Sequence, residues 1–231
     1  MDIKEKLQKV DWKDFIIRAL VSILGITLIS LGAALSGSMS MGLDPFTALN
    51  TGASELLGFS LGNFQLVVNL IILVIIFFID RSQLGWGTIF NMILVGYQIQ
   101  FFTGLLESFL SPDELSMVFK LLITLAAIVI FTFGVAVYKD AKLGVSPYDA
   151  IAPIVSDKTG WRYRYARISQ DIIVVAGAFF LSGPLGVTTF ITGFVAGPFI
   201  EFFSDKVTMP IMEKLSPEIE EEEEEDDEDE A

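Results

Sequence analysis

The sequence predicts an all-α transmembrane protein of six helices, arranged as two inverted three-helix repeats that each carry a short interfacial or re-entrant helix. The composition is the first observation behind this fold class, since 52% of the 231 residues are hydrophobic and the mean hydropathy is +0.60. Soluble domains rarely reach such values. The other two observations are six apolar segments near the ~20 residues that cross a bilayer, and an internal repeat.

The repeat is centred on two motifs 102 residues apart, Gly42-Leu43-Asp44-Pro45-Phe46 and Gly144-Val145-Ser146-Pro147-Tyr148. Each motif reads as a helix start, with a capping residue (Asp44 or Ser146) before a proline at the first helical position. The register continues in both directions, and the offset becomes 101 after one deletion. Equivalent pairs along it include Arg18/Lys120, Gly32/Gly134, Asn69/Asp171, Gly85/Gly186, Thr88/Thr189 and Gly96/Gly197.

The predicted spans are residues 15–35, 63–79, 88–106, 117–138, 166–181 and 187–203. If the shorter segments were only interfacial, four spans would remain, but the repeat requires matching sets of three. The resulting units are a basic cytoplasmic N-terminus (1–14), a first repeat (15–107) with a short helix at 45–57, a second, inverted repeat (108–207) with a short helix at 147–157, and an acidic cytoplasmic tail (208–231). The acidic run in that tail repels itself and is predicted to be disordered.

The distribution of Lys and Arg predicts the orientation. With the N-terminus in the cytoplasm, 14 of the 15 basic residues fall on the inner side, and only Lys120 falls outside. Three helices per unit is an odd number, so the second unit enters the membrane from the opposite face. The first apolar segment is too long for a signal peptide and is expected to stay as a helix. The sequence therefore predicts a multi-pass protein of the bacterial plasma membrane with both termini cytoplasmic.

The short helices have two interpretations that the sequence leaves open. An amphipathic helix lying in the interface is the first, because apolar side chains share one face of each segment. The second is a re-entrant half-helix whose N-terminus reaches mid-membrane, where free N–H groups and the helix dipole suit an anion. Pro153 is expected to kink the second helix or to end it early.

The candidate solute-binding residues lie in and near these helix starts. Polar and charged side chains at membrane depth are functional candidates by default. Asp171 lies a few residues inside a predicted span and is equivalent to Asn69, a pattern that an ion- or proton-coupling pair would show; an ion pair with Arg167 one turn earlier is the structural alternative. The predicted set is Asp44, Pro45, Ser146, Pro147, Asp149, Asn69 and Asp171.

The residue types also narrow the function classes. The sequence contains no Cys and no His, and it has no phosphate-binding loop, dinucleotide fingerprint or catalytic triad. We therefore expect no metal, no cofactor and no enzymatic activity. The lipid bilayer is the expected partner, with anionic lipid at the basic segment 162–167, and no nucleic acid is expected. Gly193 and Gly197 have the small-xxx-small spacing that serves core packing or a homodimer face.

The two motifs make the chain similar to the bacterial YczE/YitT-type integral membrane proteins. Gly58-Phe59-Ser60-Leu61-Gly62 resembles the turn after the short helix in that family, and Gly87-Thr88-Ile89-Phe90-Asn91-Met92 resembles a later family pattern. Phe46 and Tyr148 stand where Trp is usual. The likeness covers about residues 15–203 and implies membrane location, this architecture and, less directly, transport.

Two functional hypotheses follow. The first is a secondary transporter or exporter of a small anionic or zwitterionic solute, with its site between the two helix starts and a coupling ion at Asn69 and Asp171. The second is a non-transporting accessory or assembly factor whose inner face, residues 162–167 with the tail, binds a partner. A cavity that reaches mid-membrane and is lined by both motifs favours transport, and solid packing there favours the accessory role.

Overall fold

A computed structural model describes residues 11–217 and residue 219, and this part of the chain contains helices and no strand. The helices are α1 (Trp12–Ser38), α2 (Pro45–Leu57), α3 (Leu61–Ile79), α4 (Trp86–Phe109), α5 (Met117–Asp140), α6 (Pro147–Thr159), α7 (Tyr163–Phe180), α8 (Val187–Phe194), α9 (Ala196–Phe203) and α10 (Met209–Leu215). A 3-10 turn at Pro112–Glu114 precedes α5, and a π-helical turn at Ser204–Thr208 precedes α10. The predicted disordered run of the tail lies outside the described residues.

Four helices, α1, α3, α4 and α5, are long and apolar enough to cross a membrane. A fifth span forms if α8 and the helical segment after it count as one, although they are bent by 61°. The expectation of six spans is thus confirmed only for these segments. The predicted fifth span lies in α7, whose 18 residues include three charged side chains, Arg164, Arg167 and Asp171.

The predicted sixth span, 187–203, was expected as one helix, and this was wrong in detail because the helix breaks at Val195. Pro198 explains the break. A proline has no N–H to bond the carbonyl four residues earlier, here that of Phe194, and its ring clashes with that carbonyl.

The two short helices start and end in the same way. The Asp44 side chain accepts a hydrogen bond from the Thr47 N–H at 3.0 Å, and the Ser146 hydroxyl accepts one from the Asp149 N–H at 3.0 Å. Each helix has 13 residues and ends at a left-handed glycine with φ 72°. Pro153 does not end the second helix early, and α6 continues two residues beyond the predicted end to Thr159 at the cost of one backbone hydrogen bond.

The first helices of the two sequence repeats, α1 and α5, pack closely through glycines. A Cβ on Gly25 would lie 2.5 Å from the Tyr138 nitrogen, and one on Gly32 would lie 2.7 Å from the Ala127 oxygen. Residues later in α1 contact residues earlier in α5, so the two helices are antiparallel. Gly134 meets α1 in the same way as its equivalent Gly32 meets α5. Larger residues at these three positions would therefore force α1 and α5 apart.

A loop of each sequence repeat also packs against a loop of the other repeat. Gly42, with φ +88°, approaches Gly186 so closely that a Cβ would lie 2.4 Å from the Gly186 nitrogen, and Gly144, with φ +92°, approaches the Gly85 nitrogen to the same distance. Backbone hydrogen bonds join the same loops. The Leu43 N–H donates to the Pro184 carbonyl (3.0 Å), and the Val145 N–H donates to the Gln83 carbonyl (3.1 Å). Both sets of contacts join residues that are equivalent at the offsets read from the sequence.

The C-terminal segment is held by carboxylates of the first and fifth helices. Asp140, at the end of α5, accepts hydrogen bonds from Ser204 at 2.9 Å and from Thr208. Ser216, just after α10, donates to Asp14 near the start of α1. The segment after α9 therefore lies against the ends of α1 and α5 that face each other.

Candidate functional site

The starts of α2 and α6 meet. The ring of Phe46 stacks on the ring of Tyr148 with a centroid distance of 4.5 Å and an interplanar angle of 19°. These two aromatic residues are equivalent at the offset of 102, and each follows its capping residue by two positions. Four of the sequence-predicted site residues, Asp44, Pro45, Ser146 and Pro147, belong to the two helix starts that this stack brings together.

A charged cluster lies beside Tyr148, where α7 packs on α6. The Arg167 guanidinium donates to Asp149 Oδ1 at 2.8 Å and, through Nε, to Asp171 Oδ2 at 3.1 Å. The Tyr148 hydroxyl donates to Asp171 Oδ1 at 2.6 Å, and the Ser146 hydroxyl donates to Asp149 Oδ2 at 2.7 Å. These five side chains form one continuous hydrogen-bonded chain, here called the charged cluster.

Asp171 is the most enclosed member of the charged cluster, with 0% of its side chain exposed. The ion pair with Arg167 one turn earlier, the structural alternative drawn from the sequence, is present. The bond from Tyr148 occupies the second carboxylate oxygen, so both oxygens of Asp171 are paired. Arg167 and Asp149 are more accessible, with 27% and 37% of their side chains exposed, so their mutual contact is the most exposed part of the charged cluster.

Carboxylates outnumber cations where the helices meet. Asp44 caps α2, and the negative charges of Asp149 and Asp171 lie close enough to interact with it. Arg167 is the cation within the charged cluster, and it also lies over the Tyr148 ring at 5.1 Å from the centroid. Opposite charges are favourable at such depth only when they are paired. The surplus of negative charge disfavours a purely anionic ligand.

Asn69, the counterpart of Asp171, is 1% exposed, and neither of its amide heteroatoms has a hydrogen-bond partner. Its neighbour one turn earlier on α3, Gln65, is equivalent to Arg167 and is also buried. The two halves of the predicted coupling pair therefore differ in their hydrogen bonds: Asp171 is paired within the charged cluster, and Asn69 is buried without a partner among the described residues.

A cavity of about 490 Å³ adjoins the two helix starts. Phe46 and Tyr148 both line it, and most of the other lining side chains are apolar. Residues of α2 and α3 face equivalent residues of α6 and α7 across it, in the pairs Phe46/Tyr148, Leu49/Ile151, Val68/Gln170 and Ile72/Val174. Each motif thus contributes its aromatic residue to one cavity, whereas none of the predicted site residues, and neither Arg167 nor Asp149, lines it.

A second cavity, of about 440 Å³, lies between the C-terminal parts of α2 and α4. Two glutamates, Glu55 and Glu107, line it, together with Thr51 and Thr103. It contains none of the predicted site residues.

Sequence reasoning missed Arg167 as the centre of the charged cluster. It assigned residues 162–167 to the membrane surface, and it treated Arg167 only as a neighbour of Asp171. The spacing of four residues between Arg167 and Asp171 was the available signal, whereas the contact with Asp149 depends on how α7 packs on α6. Within the described part of the chain, no group of three His, Cys, Asp or Glu side chains is arranged to hold a metal ion.

The distribution of side chains defines the class of protein. Large apolar residues of the candidate spans point outward, such as Leu20 (62% exposed) and Phe78 (83%), while polar residues of the same helices, such as Ser30 and Thr132, are buried. Apolar surface on several long helices suits a lipid environment. The molecule is an all-helical integral membrane protein.

The chain belongs to a family of unknown function, DUF6198, whose model matches residues 16–205. It is similar to the uncharacterized membrane protein YczE of Bacillus subtilis, at 24% identity over 191 residues, covering 82% of this chain and 86% of the relative. It is also similar to the uncharacterized protein YyaS of the same organism, at 26% identity with 83% and 92% covered, and to an uncharacterized protein of Haemophilus influenzae, at 22% with 79% and 81% covered. No solved structure matches it. The resemblance to YczE-type membrane proteins is confirmed.

Proposed function

We propose that this protein is a secondary transporter or exporter of a small zwitterionic solute in a bacterial plasma membrane. The observation that carries the proposal is the accessible ion pair between Arg167 and Asp149, which lies where two helix starts meet beside a cavity. The alternative of a non-transporting accessory factor lacks a corresponding observation, because the helices are not packed solid at the two motifs.

The proposal includes an architecture of six spans in two inverted units. It counts α7 as the fifth span, because its Arg167 and Asp171 are paired inside the protein. It counts the bent pair α8 and α9 as the sixth. Antiparallel packing of α1 on α5 and the exchanged glycine contacts support it, since both follow if a two-fold pseudo-axis in the membrane plane relates the units.

The same symmetry supports the re-entrant interpretation of the short helices. Equivalent residues touch only near the axis that relates them, and Phe46 touches Tyr148. An axis in the membrane plane puts both helix starts near mid-depth. A helix of 13 residues is about 20 Å long, and half of the hydrocarbon core is about 15 Å, so each helix reaches from the centre to one surface.

Single cysteines test this architecture, because the sequence contains none. Phe59 and Trp161 follow the two left-handed glycines and are 60% and 53% exposed. In intact cells, a membrane-impermeant maleimide is expected to label the Phe59→Cys variant and to label Trp161→Cys only after permeabilisation. Labelling of both variants from one side contradicts the inverted arrangement.

A zwitterion fits the charged cluster because it can replace both members of the Arg167–Asp149 pair. Its carboxylate takes the place of Asp149 at Arg167, and its ammonium group takes the place of Arg167 at Asp149. An anion alone leaves the Asp149 carboxylate without a partner, which is costly in a low-dielectric site. Binding of the zwitterion would separate Arg167 from Asp149 without changing the net charge of the site.

Asp171 is the proposed coupling residue, and the proton is the proposed coupling ion. Protonation removes the negative charge of Asp171 and therefore weakens its ion pair with Arg167. Displacement of Arg167 frees the guanidinium for the solute carboxylate. The groups that face Asp171 are Arg167 on its own helix and Tyr148 and Asp149 on α6, with Asp44 on α2 acting through its charge.

Flux in proteoliposomes tests the function. We expect the wild type to accumulate or release a subset of labelled zwitterionic amino acids when a pH gradient is applied. Arg167→Gln is expected to lower the initial rate at least about tenfold, because it removes the carboxylate contact, and Asp171→Asn is expected to abolish the dependence on the gradient. Arg164→Gln, an exposed arginine one turn earlier on α7, is the matched control and should keep the rate.

The outcomes separate the hypotheses. Flux of a zwitterion that Arg167→Gln abolishes supports the proposal. Absence of flux across a panel of zwitterions and anions, from a correctly folded protein, contradicts it and favours the accessory role. Equal rates in the wild type and Arg167→Gln contradict the assigned site.

A further inference from the structure

Three amide side chains in the first half of the chain are buried without their full set of hydrogen bonds. Asn50 on α2 is 1% exposed, and Gln65 and Asn69 on α3 are 2% and 1% exposed. Within the described part of the chain, four heteroatoms of these residues have no hydrogen-bond partner, namely Asn50 Oδ1, Gln65 Oε1, Asn69 Oδ1 and Asn69 Nδ2. Buried amides are normally satisfied, and leaving them unpaired is unfavourable, above all at membrane depth.

The three amides lie on two neighbouring helices. Gln65 and Asn69 are four residues apart, so they share a face of α3. Asn50 donates from Nδ2 to the Phe46 carbonyl at 2.7 Å, which places it one turn beyond the aromatic stack, and α2 and α3 contact each other. A Cβ on Gly96 would lie 3.0 Å from Gln65 Oε1, so the glycine lets the Gln65 side chain pack closely against α4.

Two of these three positions have counterparts in the charged cluster, whereas Asn50 is equivalent to Ala152. Gln65 is equivalent to Arg167, Asn69 to Asp171, and Phe46 to Tyr148. In the second half every one of these side chains bonds to another protein side chain. In the first half the equivalent groups are uncharged and leave acceptors and a donor unused.

We propose that Asn50, Gln65 and Asn69 bind an uncharged hydrogen-bonding group of the transported solute. The inference rests on the proposed function, in which Arg167 and Asp149 bind the charged ends of the same molecule. An amide presents one acceptor and two donors, so amide side chains complement a carboxamide or hydroxyl group. On this proposal, the solutes are small zwitterions with a carboxamide or hydroxyl side group.

Binding of free glutamine and free leucine tests this proposal, because the two amino acids share charged ends and differ in the side group. Purified protein is titrated with each, and the midpoint of thermal unfolding is followed. We expect the wild type to respond to glutamine at a concentration at least about tenfold lower than to leucine, since a site built for hydrogen bonds discriminates against an apolar analogue. Asn69→Leu is expected to remove that preference.

Asn91→Leu is the matched control, because Asn91 is also a buried asparagine, 7% exposed, on the neighbouring helix α4. It should keep the preference for glutamine. Gln65→Met is a second test variant of similar shape if Asn69→Leu folds poorly, and it should also lose the preference.

The results distinguish this inference from the proposed function. If the wild type responds equally to glutamine and leucine, or if Asn69→Leu and Gln65→Met both keep the preference, the amides do not bind the solute and the inference is overturned, while the transport proposal stands. If the wild type responds to neither amino acid and carries no flux, both are overturned.

Discussion

At the start of α6, the Tyr148 hydroxyl donates a hydrogen bond to Asp171, and at the start of α2, the equivalent ring of Phe46 has no hydroxyl to donate. One turn along the next helix, Arg167 joins two carboxylates, while its counterpart Gln65 has an unpaired oxygen. The backbone of the two halves differs much less. Both short helices are capped, both begin with proline, and both end at a glycine with the same φ.

The comparison distinguishes residues that the fold requires from residues that a binding site would require. Glycines, caps and turn geometry recur because loops of each half pack against the other half with no space for a side chain. Side chains that face the centre differ in charge, so one half can hold charged groups and the other neutral ones. The following predictions test this separation, from the largest expected effect to the smallest.

Gly42→Ala and Gly144→Ala should destabilise the protein strongly and to a similar degree. Each Cβ would lie 2.4 Å from a backbone nitrogen of the other half, and each position has a positive φ. Together these effects should lower the free energy of unfolding by about 4 kcal/mol. Chemical denaturation in detergent micelles measures the loss.

Gly58→Ala and Gly160→Ala are the controls, since both have φ +72° but nothing within 4 Å of the added Cβ. They should lose only about 1 kcal/mol. An unequal loss at Gly42 and Gly144, or equal losses at all four glycines, would show that the exchanged contacts do not hold the halves together.

Arg167→Leu should cost about 3 kcal/mol, because it leaves Asp149 and Asp171 without their shared cation. Gln65→Leu at the equivalent position should cost less than about 1 kcal/mol or be stabilising, because it removes an unpaired acceptor. The same denaturation experiment compares them. If both leucine variants lose equal stability, the two halves are not different in the way the contacts indicate.

Tyr148→Phe should cost about 1–2 kcal/mol, because Asp171 loses a donor in a fully buried setting. Phe46→Tyr creates the reverse case, and the new hydroxyl should find an unpaired oxygen at Asn69 if the halves are geometrically equivalent. It is then neutral or stabilising. A loss of more than about 1 kcal/mol in Phe46→Tyr, by the same measurement, would contradict that equivalence.

Asp80→Asn should have the smallest effect. Asp80 lies in the loop between α3 and α4, where the Ser82 N–H and then the Lys158 charge 3.5 Å away lower its pKa. A lowered pKa means that its contribution to stability is present at neutral pH and is lost as the pH falls through that pKa, below about 4. Thermal unfolding against pH should show a slightly shallower acid decline in Asp80→Asn, and 1 M salt should remove the difference, because the pair is exposed.

Local signals predicted much of the fold. Asp44-Pro45 and Ser146-Pro147 define helix starts through backbone capping, which needs only neighbouring residues, and the structure begins α2 and α6 there. The long apolar helices followed from composition in the same way. The break at Val195 was missed although Pro198 is visible in the sequence, because the repeat led to one continuous sixth span.

The site was less accessible to sequence reasoning. The contact of Arg167 with Asp149 and the stacking of Phe46 on Tyr148 join segments that are distant in the chain, so only tertiary packing creates them. Asn69 was singled out as a polar residue in an apolar helix, and the structure buries it. Its lack of a partner, and that of Gln65 and Asn50, depends on what surrounds them and has no signature in the sequence.

The loop exchange at Gly42 and Gly144 has a consequence for how the chain is made. Each half supplies a surface that the other lacks, and the connection between α4 and α5 contributes only a short turn at Pro112–Glu114. Two separately synthesised polypeptides, divided within residues 110–116, should therefore find each other in the bilayer and co-purify, whereas either piece alone should be degraded. The main effect of the covalent link is then that the two halves are synthesised in equal amounts.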